Sequence, residues 1–96
     1  MKEVLKNLDK AFENRIRLGI MSALVVNDHV DFNTLKALLG VTDGNLASHL
    51  KFLEKCNYIN IKKEFLNRKP HTRYYSTKGG ESAFRRHIHA IEKLLE

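Results

Sequence analysis

The interval from Asp31 to Cys56 constrains the fold more than any other part of the chain. Asp31 is placed to cap a helix over Phe32-Asn33-Thr34-Leu35-Lys36-Ala37-Leu38-Leu39. Gly40 follows the last apolar residue, where the left-handed conformation that ends helices favours glycine. Phe32, Leu35, Leu38 and Leu39 are expected on one inward face. Val41 lies in the turn, and Thr42 can cap a second helix from Asp43 to about Lys55, with Asp43 set favourably against its positive end. The inward stripe of that helix is Leu46, Leu50 and Leu53. The link Gly40-Val41-Thr42 is too short for antiparallel packing and too polar to extend one helix, so the two must cross steeply. The segment 31–56 therefore reads as a helix-turn-helix.

The flanks complete the architecture. Upstream, Leu5, Leu8, Phe12, Ile16, Ile20 and Leu24 step by three or four, which predicts one long helix from about Lys2 to Val26, ended by Asn27-Asp28. Lys6, Lys10, Glu13 and Arg17 fall on its other faces. Downstream, Ile59 and Ile61 alternate with polar residues in a strand-like period from Tyr58 to Phe65. A polar turn, Asn67-Arg68-Lys69-Pro70, leads to a second short strand over Thr72-Arg73-Tyr74-Tyr75-Ser76. Thr77 then caps a last helix to about Leu95, with Phe84, Ile88, Ile91 and Leu95 on one stripe. The order is helix-helix-helix-strand-strand-helix, with room for a short extra strand near 29–31. This is a mainly α fold with a small β-hairpin (α+β). A chain of 96 residues that is 43% hydrophobic closes around one small core, so a single domain over 1–96 is expected.

Charge is unevenly placed. Residues 43–73 carry seven basic side chains (Lys51, Lys55, Lys62, Lys63, Arg68, Lys69, Arg73) against three acidic ones, which accounts for +4 of the net +6. Such a concentration suggests a face for a polyanion. In a helix-turn-helix the second helix enters the major groove of DNA and its N-terminal residues meet base edges. Here that helix offers Asp43, Gly44, Asn45, Ala47, Ser48, His49 and Lys51 outward. Asn45 can pair bidentately with adenine, Ser48 and His49 can bond several base acceptors, and Lys51 can reach guanine or phosphate. Thr42 stands at the helix start. Asp43 would repel phosphate, which favours a helix-start role over a contact to cytosine. Gly44 is compatible either with close approach of DNA or with a packing need at the helix start. In the hairpin, Arg68 and Lys69 suit the DNA backbone or the adjacent minor groove, and His71 and Arg73 can add phosphate contacts. Lys62 and Lys63 point to opposite faces of the hairpin.

On these residues the chain resembles the winged-helix transcriptional regulators related to the ArsR and MarR groups. The matching features are Phe-x-x-Leu-x-x-x-Leu over 32–39, Thr42-Asp43-Gly44-Asn45-Leu46-Ala47-Ser48-His49-Leu50, the wing motifs Tyr58-Ile59-Asn60-Ile61 and Arg68-Lys69-Pro70-His71-Thr72, and the helix start Thr77-Lys78-Gly79-Gly80. The resemblance covers nearly the whole chain. It implies a winged helix-turn-helix with its wing over 58–76, and a homodimer joined through the first and last helices (2–26 and 77–95). Asn57 stands where such proteins often have glycine, and asparagine also tolerates the left-handed conformation. An apolar surface left by Val4, Leu5 and Leu8 at one end and Ile88, Ile91 and Leu95 at the other supports a dimer independently. Two-fold symmetry then predicts a pseudo-palindromic site on double-stranded DNA.

Other classes fare worse. The chain has no glycine-rich phosphate loop, paired catalytic carboxylates or nucleophile elbow, so no enzyme is expected. No cofactor or metal site is expected either: there is no cysteine pair, and His87 and His89, two apart on a helix, diverge by roughly 200°. Cys56 alone reads as a small buried hydrophobe in a reducing compartment. The start Met1-Lys2-Glu3-Val4-Leu5-Lys6 is broken by charge and nothing later suits a membrane span, so a soluble cytoplasmic protein is expected. A protein-binding or RNA-binding winged helix is the rival reading. It calls for an apolar patch on the second helix of the motif or on the wing, or for exposed aromatic platforms, where the sequence offers cations and small polar groups. The residues identify no effector; one would have to act at the dimer seam.

Overall fold

The computed structural model describes residues 1–96 as α1 (Lys2–Leu5), a 3-10 turn (Lys10–Phe12), α2 (Arg15–Val25), β1 (Val30–Asp31), α3 (Phe32–Leu39), α4 (Asp43–Lys55), β2 (Ile59–Leu66), β3 (Lys69–Ser76) and α5 (Lys78–Lys93). The strands form one antiparallel sheet in the order β1-β3-β2. The core joins Phe12, Ile20, Met21 and Leu24 to Leu35, Leu46, Leu50, Leu53, Ile59, Tyr74 and Phe84. The extra strand near residue 30 is present, with Val30 opposite Tyr74 and Asp31 opposite Arg73. No helix is long and apolar enough to cross a membrane.

The helix-turn-helix forms from the caps its sequence supplies. Asp31 accepts the Thr34 N–H at 2.7 Å; hydrogen bonding from the Thr34 side chain, and then from this N–H, holds its carboxyl below the usual carboxylate range. Gly40 sits at φ 62° and donates its N–H to the Lys36 carbonyl at 2.9 Å. Thr42 accepts the Asn45 N–H at 3.2 Å, and Leu46, Leu50 and Leu53 are buried as expected. Asn57 takes the left-handed conformation at φ 61°. One expected inward residue is not inward: Leu38 is 65% exposed. On a 3.6-residue period Leu39 and Phe32 lie to one side of Leu35, and Leu38 falls about 60° to the other. The inward arc is thus Phe32, Leu35 and Leu39, with Leu35 buried and the other two half-buried against the core.

The long first helix is instead three pieces. Asp9 and Asn14 both adopt extended backbone conformations and turn their side chains back on the chain. Asp9 Oδ1 accepts the Ala11 N–H at 2.9 Å; Asn14 Oδ1 accepts the N–H groups of Ile16 and Arg17 at 3.0 and 3.1 Å. Short polar side chains compete with helix in this way. Distant partners decide the outcome at Asp9: its N–H donates to His87 Nδ1 at 2.9 Å, and the Tyr58 hydroxyl donates to its Oδ2 at 2.5 Å. Losing that bond on ionisation pushes the Tyr58 phenol up to about 12, with burial adding to the effect. Phe12 stacks on Tyr58 with ring centroids 5.4 Å apart and meets Phe84 and His87 edge-on. His87, 3% exposed, is therefore a core residue that ties the N-terminal segment to α5.

The hairpin is tighter and longer than expected. Its strands run to the pair Leu66–Lys69, leaving a turn of Asn67 and Arg68 alone, both left-handed at φ 54° and 63°. That is the mirror-image turn whose twist matches the strands, and asparagine suits it. Pro70, expected in the turn, lies in β3 opposite Phe65. With Leu66–Lys69 as the hydrogen-bonded pair, Phe65–Pro70 is a non-bonded one, so Pro70 costs the β2–β3 ladder nothing. β1 ends before reaching it, pairing only with Arg73 and Tyr74. The last helix ends at Lys93 rather than Leu95. At its start Thr77 accepts the Gly80 N–H at 2.9 Å and donates its own N–H to the Tyr58 carbonyl at 3.0 Å.

Candidate nucleic-acid interface

The outer side of α4 is polar and open. Thr42, Gly44, Asn45, Ser48 and Lys51 are exposed. A Cβ built on Gly44 would meet nothing within 4 Å and its φ is not positive, so no packing contact requires glycine there. Asp43 forms an ion pair with Lys36 at 2.9 Å, both ends exposed, and lies in the first turn of α4. This is a helix-start role, and such a pair contributes little to stability.

His49 is placed differently from its neighbours. It is half-buried, and its Nδ1 lies 3.1 Å from a terminal nitrogen of Arg17 on α2. Burial, and then the charge of Arg17, hold the imidazole below its ordinary value. The Arg17 Nε also donates to the Ala11 carbonyl at 2.7 Å, and its guanidinium sits 4.1 Å above the Phe52 ring centroid. Arg17, Ser48, His49, Lys51, Phe52 and Lys55 line one shallow depression on this side of the molecule. By its spacing in the sequence Arg17 falls on an outward face of the first helix. Periodicity gives no signal for a partner 32 residues away.

In the wing, the four residues singled out divide into two pairs. Arg68 at the turn and Lys69 beside it are exposed and make no ion pair. Arg73 is half-buried and faces Glu64 at 3.6 Å, while Lys62 reaches the same carboxylate at 3.1 Å. The hydrogen bond from Lys62 and the charge of Arg73 hold the Glu64 carboxyl below its usual range. His71 is half-buried directly across the ladder from Glu64. The free cations of the wing tip are thus Arg68 and Lys69. Its surface is not purely cationic and polar as expected: Phe65 is 80% exposed and Leu66 is 38% exposed.

The apolar ends behave unequally. Val4 and Leu8 are half-covered, and Leu5 is exposed. Val4 faces Ala90 across a groove between α1 and α5. Ile88 packs partly against the core, whereas Ile91 and Leu95 are exposed. A second groove between α2 and α5 is lined by Val25, Val26, Phe84 and Ile88.

A helix-turn-helix followed by a basic two-stranded wing defines a DNA-binding winged helix. The chain belongs to the winged helix DNA-binding domain family, whose model matches residues 16–95. It is 36% identical over 85 residues to the uncharacterized protein MJ0432 of Methanocaldococcus jannaschii, covering 88% of this chain and 92% of that one. A transcriptional regulator homologue from Pyrococcus horikoshii OT3 superposes with a TM-score of 0.86 at 29% identity, over 98% of this chain and 91% of that one. A MarR-like transcription regulator from Bacillus cereus ATCC 10987 shares the fold, with a TM-score of 0.73 at 22% identity over 98% and 70% of the two chains. The protein is a DNA-binding transcriptional regulator by family and fold, and not an enzyme.

Proposed function

We propose that the chain is a homodimeric, sequence-specific regulator that binds a pseudo-palindromic site on double-stranded DNA in the cytoplasm. The whole chain acts as one DNA-binding domain: the helix-turn-helix over 31–56 enters the major groove, the wing over 58–76 contacts the backbone or the adjacent minor groove, and the segments 2–26 and 77–95 join two copies. The observation that carries this reading is the N-terminal half of α4 with its capping residue. It offers Thr42, Asn45 and Ser48 around a glycine with open space where a Cβ would sit, which leaves room for a base edge or sugar to approach the backbone.

Asn45→Ala tests the major-groove assignment. It should lower affinity for a selected duplex by about 1–3 kcal/mol while leaving affinity for random duplex nearly unchanged. Equal loss on both, in fluorescence-anisotropy titrations, makes Asn45 a backbone contact. The dimer rests on the exposed Ile91 and Leu95 continuing the stripe from Ile88. Sedimentation should show two copies for the unaltered chain and one for Ile91→Glu/Leu95→Glu. A single copy in both contradicts that interface. Two recognition helices so joined lie about 34 Å apart, one turn of DNA.

One observation favours a second reading. Phe65 and Leu66 give the wing tip the apolar surface that a protein-binding winged helix requires. A protein-binding wing predicts no duplex affinity even at low salt.

A further inference from the structure

The contact between Arg17 and His49 has a chemical consequence for whatever α4 meets. A guanidinium has five N–H donors, no acceptor, and does not deprotonate in proteins. A terminal nitrogen of Arg17 lies 3.1 Å from His49 Nδ1. Nδ1 must therefore accept, which leaves the neutral ring with its one hydrogen on Nε2.

Arg17 does not depend on His49 for its position. Its Nε donates to the Ala11 carbonyl at 2.7 Å, and its guanidinium carbon rests 4.1 Å from the centroid of Phe52, which lies one helical turn from Ser48 and next to Lys51 on α4. Ala11 belongs to the 3-10 turn that Asp9 caps. The guanidinium is thus held by two further residues, Ala11 and Phe52, besides the imidazole.

We propose that Arg17 is a positioning residue that locks His49 in the Nε2–H tautomer, so that α4 presents a hydrogen-bond donor, and never an acceptor, to DNA at this position. The inference rests on the DNA-binding reading above. An unattached histidine on the same helix could donate or accept. With Nδ1 occupied, His49 can serve only an acceptor: guanine O6 or N7, adenine N7, thymine O4, or a phosphate oxygen. Cytosine, which offers only its N4 donor in the major groove, is rejected at the contacted position. Burial, and then the charge of Arg17, favour the neutral ring. Lys51 and Lys55, the other cations of this face, line the same depression. The sign follows for pH. The folded imidazole lies below its ordinary value of 6.5, so the unfolded chain binds the proton more readily beneath that pH, and the locked arrangement is lost as pH falls.

The test is a long-range proton–nitrogen NMR correlation on the full-length chain, labelled at histidine nitrogens, at pH 7.5. His49 should show an unprotonated Nδ1 and a protonated Nε2. In Arg17→Met both nitrogens should move toward the averaged values of a tautomer mixture. A protonated Nδ1 in the unaltered protein overturns the proposal, and so does an Arg17→Met spectrum with the His49 tautomer unchanged. The measurement on the unaltered chain stands even if the variant fails to fold. Where the acceptor is a base edge, duplex selection should show one position per half-site from which cytosine is excluded, with the exclusion relaxed about fivefold in Arg17→Met. His49→Ala separates the two sources of acceptor: a loss confined to one base pair assigns a base edge, and an equal loss on all sequences assigns a phosphate. Absence of any duplex binding defeats the DNA-binding reading while the NMR result still decides the tautomer.

Discussion

Gly80→Ala should destabilise the protein by about 3 kcal/mol, although the residue lies in a helix where alanine is ordinarily preferred by about 1 kcal/mol. A Cβ at this position would stand 2.1 Å from the Tyr58 carbonyl oxygen and 2.8 Å from its carbonyl carbon and Cα. These are backbone atoms, and they cannot rotate away. Thr77 fixes the approach from both sides, donating its N–H to that carbonyl at 3.0 Å and accepting the Gly80 N–H at 2.9 Å. Tyr58 in turn is anchored to Asp9. Making room means shifting α5 away from the start of β2, which loosens the wing and the core together. Gly79 is the internal control, because a Cβ there comes no nearer than 3.8 Å, to the Thr77 hydroxyl oxygen. Gly79→Ala should be neutral or mildly stabilising. Urea unfolding of the pair measures the difference, and equal stabilities would contradict the close approach.

The second large effect is electrostatic. Arg68→Glu/Lys69→Glu should reduce affinity for duplex DNA about a hundredfold at low salt and lower the slope of log affinity against log salt by about 2. Both cations are exposed and unpaired at the end of the hairpin, so reversing them removes attraction without breaking an internal contact. Lys62→Glu is the comparison. Lys62 shares Glu64 with Arg73, and its reversal should change DNA affinity much less. A double variant that binds as tightly as the unaltered chain, at every salt concentration, would remove the wing from the interface.

What could be read from the sequence was whatever is decided within one turn of chain. Asp31, Gly40 and Thr42 each complete their hydrogen bonds with residues three or four positions away, so the boundaries of α3 and α4 follow from residue type. The stripe Leu46, Leu50 and Leu53 is buried for the same reason. The break at Asp9 was hidden because it lies inside a continuous apolar period, and its partners Tyr58 and His87 are 49 and 78 residues away. Arg17 was hidden likewise. A polar residue on a helix gives no sign that an aromatic ring and an imidazole from another helix will enclose it. His87, a metal-ligating residue type, is a core acceptor for the Asp9 N–H, 78 residues away. At the wing, Phe65 is in phase with Ile59 and Ile61, yet Ile59 is buried, Ile61 half-buried and Phe65 exposed, so the cover is lost toward the tip. Alternation predicts a face, and only the tertiary arrangement says whether anything lies against it.

The most direct measurement is titration of the unaltered chain against a selected duplex and a random one at several salt concentrations. The account predicts binding to both at low salt, a steep linear fall of log affinity with log salt, and a selected duplex held at least a thousandfold tighter, on the order expected of specific over non-specific sites. No duplex binding at low salt would contradict it.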